Sequence, residues 1–156
     1  MKRKTKAWIL VLMCIVLIVV MGYLVIGNPF VFINNQKLKK SIDSLDDNKI
    51  VSLNEVIPFE WDFLYTFEPY QSKAEIAEII GFQSNDIKEN NINEGMVHLL
   101  FVKNDKVVAS ILSYSSNLGY NIDFTSKENL KVAYAENAQF SVTKEDGITH
   151  LIFQGF

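Results

Sequence analysis

Met96-Val97-His98-Leu99-Leu100-Phe101-Val102-Lys103-Asn104-Asp105-Lys106-Val107-Val108-Ala109-Ser110-Ile111-Leu112 is two apolar strands separated by four polar residues. Asn-Asp at the centre is the chemistry of a tight hairpin turn. Working outward, Gln139-Phe140-Ser141-Val142-Thr143 and Ile148-Thr149-His150-Leu151-Ile152-Phe153 flank Lys144-Glu145-Asp146-Gly147. Gly147 can take the positive φ that a second hairpin needs. Ile50–Leu53, Gly119–Phe124 and Leu130–Ala135 are shorter strand candidates. Upstream, Ser72-Lys73-Ala74-Glu75 is a capping box that opens a helix with Ile76, Ile79 and Ile80 on one face and Gly81 at its end. Strands joined by short turns pair antiparallel. The expectation over residues 49–156 is therefore an α+β domain: a meandering, mainly antiparallel sheet with one packed helix.

The N-terminal part reads differently. Lys2-Arg3-Lys4 and Lys6 precede an uncharged run, Ala7 to Gly27. Its 21 residues would make a helical rod of roughly 31 Å, close to the ~30 Å hydrocarbon core of a bilayer. Trp8 and Tyr23 sit near the two ends, at headgroup level. The run is longer than a secretory h-region, and Val25-Ile26-Gly27 is a poor cleavage site. Met13 before Cys14 argues against lipidation. The expectation is a retained single-pass transmembrane helix over 7–27 at the cell membrane, with the lipid bilayer as its partner. The basic tail, 1–6, would be cytoplasmic and the C-terminal domain extracytoplasmic.

Asn28-Pro29 ends that run. Residues 28–48 read as a stalk containing a short amphipathic helix, from the spacing of Leu38, Ile42 and Leu45. From Asn28 onward, eleven lysines face eighteen carboxylates, a net charge of −7. A basic nucleic-acid surface is thereby disfavoured. The single cysteine, Cys14, lies in the apolar run, so the remainder forms no disulfide and holds no thiol nucleophile.

Trp61-Asp62-Phe63-Leu64-Tyr65-Thr66-Phe67 is an aromatic strand candidate ended by Pro69, with Trp61, Phe63, Tyr65 and Phe67 on one face. The pattern Trp61-Asp62-x-x-Tyr65-x-Phe67-x-Pro69-Tyr70-x-Ser72-x-x-Glu75-Ile76, with Gly81 and the Phe101-Val102-Lys103 hairpin, resembles a group of small Gram-positive bacterial proteins. Those carry an N-terminal lipoprotein signal or anchor and one domain with a W-D…Y-x-F-x-P-Y motif. The resemblance covers roughly Leu53 to Val108 and implies an anchored, surface-exposed protein. It brings no activity and no catalytic residue, and this chain departs from the lipoprotein members in lacking a lipobox.

Chemistry-bearing patterns are sparse. His98 and His150 each sit in an apolar strand without metal-ligand spacing, so no metal and no cofactor is expected. A Gly-x-Ser-x-Gly elbow and a glycine-rich phosphate loop are both missing. Trp61, Asp62, Tyr65, Glu68 and Tyr70 are the candidate binding residues, since aromatic anchors are favoured at interfaces. The function expected is a non-enzymatic binding domain at the cell envelope, with an envelope or membrane protein as partner. The alternative is an envelope hydrolase using Asp62 and Glu68, which would need a raised pKa for acid work.

Overall fold

The computed structural model describes residues 2–89, 95–124 and 130–156. Helices α1 (Lys2–Ile26) and α2 (Pro29–Asp43) come first, then β1 (Ile50–Ser52), α3 (Leu53–Val56) and β2 (Phe63–Thr66). Helix α4 (Lys73–Ile80) leads to the hairpin β3 (Met96–Lys103) and β4 (Lys106–Tyr114). The chain continues through α5 (Ser115–Leu118), β5 (Tyr120–Asp123), β6 (Leu130–Ala133) and the hairpin β7 (Gln139–Glu145) and β8 (Ile148–Gly155).

The local signals act as their chemistry requires. Asn104 and Asp105 both take positive φ (48° and 55°), as do Asp146 and Gly147 (49° and 77°). Both hairpins therefore use turns whose twist matches the strands. Ser72 and Glu75 close the capping box on α4, and Gly81 ends it at φ 88°. Ile76, Ala77 and Ile80 face inward, while Ile79 is exposed.

The fold is α+β, but with two sheets where one was expected. Their strand orders are β1-β7-β8-β5 and β4-β3-β2-β6. The second hairpin joins β1 and β5 rather than extending the first, and β5 runs parallel to β8 with Tyr120 opposite Thr149. The sheets face one another because each hairpin alternates. Leu64, Leu99 and Phe101 from one meet Phe140, Leu151 and Ile122 from the other in a shared core. The opposite face of β2 and β3 presents Tyr65, Leu100 and Val102 to Ile76, Ala77 and Ile80 of α4. A register shift between Phe101 and Val102 in the β3–β4 ladder puts Val107 on the α4 side and Ala109 in the inter-sheet core.

The expected stalk is a structural helix. Asn28 caps α2 by accepting from the Phe30 N–H (3.1 Å), and Pro29 occupies its first position. Val31 packs with the α4 layer, while Leu38 and Ile42 are fully buried in the inter-sheet core. The same helix covers the edge strand β4. Asn34 Nδ2 donates to the Val108 carbonyl (2.9 Å), and Asn35 Nδ2 donates to the Ser110 carbonyl (2.9 Å). The Ser110 N–H donates back to Asn35 Oδ1 (3.1 Å). One carboxamide thus imitates a peptide of a missing strand, an effective way to close a sheet edge.

The transmembrane reading of 7–27 is corrected. Among the described residues, no helix is long and apolar enough to cross a membrane. Helix α1 starts at Lys2, so its first turn and more is basic. Its described side chains run from Trp8 to Gly22. Tyr23, expected at the far interface, lies outside the described side chains. The single-pass anchor falls on this finding. So does the cell-membrane placement with a cytoplasmic N-terminus and an extracytoplasmic domain.

Asn35→Ala leaves both backbone groups of the buried Ser110 unpaired, and should cost about 2 kcal/mol. Asn34→Ala breaks a single bond and should cost less. Urea unfolding midpoints of the two variants check this order.

Candidate functional site

The five sequence candidates do not meet. β2 begins at Phe63, and Trp61 turns into the inter-sheet core, edge-on to Phe101 (5.9 Å) and Tyr134 (5.4 Å). Tyr65 is buried on the other face under α4, stacked on Phe67. The expected shared face of Trp61, Phe63, Tyr65 and Phe67 therefore holds only for the last three. Tyr70 is half exposed at a turn with φ 69°.

Asp62 supports the first hairpin. Its Oδ1 accepts from Lys103 Nζ (2.8 Å) and its Oδ2 from the Asn104 N–H (2.9 Å). The Lys103 bond, then the Asn104 N–H, hold its carboxyl below the usual range, while Asp62 in turn raises Lys103. A general acid needs the opposite shift. Glu68 lies beyond the far end of β2. Six residues of extended chain put the two backbones roughly 20 Å apart, well outside the ~5–9.5 Å that paired carboxylates use in glycoside hydrolysis.

A cleft of about 610 Å³ opens instead at the end of the sandwich. Thr66, Phe67 and Pro69 at the end of β2 and Met96 to Leu99 at the start of β3 form one side. Asn121 to Phe124 at the end of β5 and Ser115 at the start of α5 form the other. The volume is that of a small-molecule site, and its wall mixes apolar side chains with the polar Thr66, His98, Ser115, Asn121 and Asp123. Of the five candidates none lines it, although Pro69 beside Glu68 and Tyr70 does.

His98 is the polar group of note there. It is buried, packs against the Phe67 ring (4.8 Å), and donates a ring N–H to the Lys88 backbone. Its Nε2 has no partner among the described residues. Burial pushes its pKa down to about 4, so the ring is neutral at physiological pH. Strand alternation alone does not show this depth, because the groups against the ring, Phe67 and the Lys88 backbone, come from distant parts of the sequence.

Asn121 to Phe124 could not be assigned to this cleft from local pattern, since the parallel β5–β8 pairing is what brings them opposite β2 and β3. Comparison of the chain with protein-family models, with curated proteins and with solved structures gives no match.

The depressed pKa of His98 makes stability depend on pH. The unfolded ring gains a proton near pH 6.5 and the folded ring only near 4. Its contribution is complete above the first value and falls as pH drops toward the second, by up to about 3 kcal/mol. His98→Leu should flatten the slope of unfolding free energy between those pH values, measured by urea titration.

Proposed function

We propose that this protein is a non-enzymatic binding domain whose ligand enters the cleft at the end of the sandwich. The observation that carries this reading is the cleft itself: an opening of about 610 Å³ between the ends of two sheets. Phe67, Val97, Leu99 and Ile122 offer apolar contact, and Thr66, Ser115 and Asn121 offer hydrogen bonds for orientation. Such a wall suits a ligand that presents an apolar or aromatic group beside a polar one. The hydrolase alternative finds no support in the geometry, because Asp62 is committed to a turn and Glu68 is a strand length away.

The exposed surface of α1 supports a second contact. Apolar residues from Trp8 to Met21 are exposed by 48–76 %, and among the described residues α1 contributes nothing to either core. So large an apolar surface marks an association site. The fitting partner is an apolar helix of another protein.

Amide correlation spectra of the full chain titrated with indole test the cleft. Saturable shifts at Thr66, Val97, Asn121 and Ile122, lost in Asn121→Trp, are expected. Shifts confined to other regions, or none, would overturn the reading. Removing residues 1–27 should leave the thermal unfolding midpoint nearly unchanged and abolish self-association or co-purification of apolar partners.

A further inference from the structure

A second cavity, of about 240 Å³, lies on the flank of the fold where α2 crosses β4. It shares no lining residue with the cleft between the sheets. Its wall includes Phe32 and Lys39 of α2, Ser110 and Leu112 of β4, Leu118 of α5, and Lys88. Two features of this wall ask for a ligand.

The first is charge. The wall holds two lysines and no carboxylate, in a chain whose net charge is −3. Lys39 is partly engaged: its ammonium donates to the Leu118 carbonyl and lies 3.6 Å from the Asp43 carboxylate. Among the described residues no carboxylate pairs with Lys88. Partial desolvation lowers its pKa, so its ammonium gains from any anion that arrives.

The second feature is the Ser110 hydroxyl. Ser110 is fully buried, and Asn35 takes its backbone N–H and carbonyl. Its Oγ nevertheless has no partner among the described residues. A buried hydroxyl left so is costly, and a charged acceptor is its strongest partner. Phe32, Ile111, Leu112 and Leu118 supply the apolar part of the wall, beside the polar Asn35, Gln36, Ser113 and Tyr120. The volume equals that of about eight waters at ~30 Å³ each, enough for a small organic acid and too little for a nucleotide.

We propose that this cavity binds a small carboxylate with a short apolar tail. The carboxylate accepts from Lys88 Nζ and Ser110 Oγ, and the tail lies against Leu112, Leu118 and Phe32. Nothing in this assignment depends on the cleft between the sheets.

The test is a titration of the full chain with sodium butyrate at neutral pH, followed by amide correlation spectra. Saturable shifts at Ser110, Leu112 and Leu118 are expected, with a dissociation constant on the order of a millimolar. Lys88→Met keeps the stem and removes the charge, and should weaken binding about tenfold or more. Lys88 is exposed on the surface, so the variant should retain the parent spectrum elsewhere. Ser110→Ala removes an unpaired hydroxyl without disturbing the fold, and should weaken binding several-fold (roughly three to ten). Butanol and inorganic phosphate, which each lack one half of the ligand, should bind more weakly than butyrate. Absence of saturable shifts at these residues would overturn the proposal. Equal binding by Lys88→Met or by Ser110→Ala, or butanol binding as tightly as butyrate, would do the same.

Discussion

The pair of hydrogen bonds between the Asn35 carboxamide and the Ser110 backbone holds α2 along the edge of the β4-β3-β2-β6 sheet. Much of the architecture follows from that position. With α2 fixed there, Val31 reaches the α4 layer while Leu38 and Ile42 close the space between the sheets. Without it the β4 side of the sandwich would admit water to Tyr120, Ile111 and Leu99, which are almost completely buried. A backbone edge left bare also invites pairing with another chain, so one amide side chain serves stability and solubility together.

Charge is placed for local order, and two of the unpaired buried polar atoms belong to cavity walls. Asp62 ties down the first hairpin and Glu75 caps α4, so these carboxylates are acceptors in fixed bonds rather than acids or bases. Among the described residues, His98 Nε2 and Ser110 Oγ lie buried without a partner at the walls of the two cavities. Buried groups of this kind are rare in folded proteins, because each forfeits its hydration without replacement. Their positions, rather than the carboxylates, draw attention to where ligands would be held.

Sequence patterns reached as far as local interactions reach. The Asn104-Asp105 and Asp146-Gly147 turns and the Ser72–Glu75 box depend on residues within a few positions of one another, and each was legible. Trp61 was not, because strict alternation fails where β2 begins at Phe63 and the preceding chain turns toward the inter-sheet core. The helix from Pro29 was legible in its last turns and underestimated in role. Spacing shows that Leu38 and Ile42 share a face, but not that this face fills the centre of the molecule. The apolar run after Lys6 was legible as a helix and was over-read as a membrane span.

The sequence by itself determined the α+β class, both hairpins, the capped helix α4 and the acidic character of the domain, since composition and near-neighbour geometry decide these. Only the tertiary structure decided that the strands form two stacked sheets. It also decided that β5 joins β8 in parallel, and that Thr66, Val97, Ser115 and Asn121 converge on one cleft. The reason is that pairing between distant strands depends on how apolar faces are buried together. That is a property of the assembled core, which no stretch of a few residues carries.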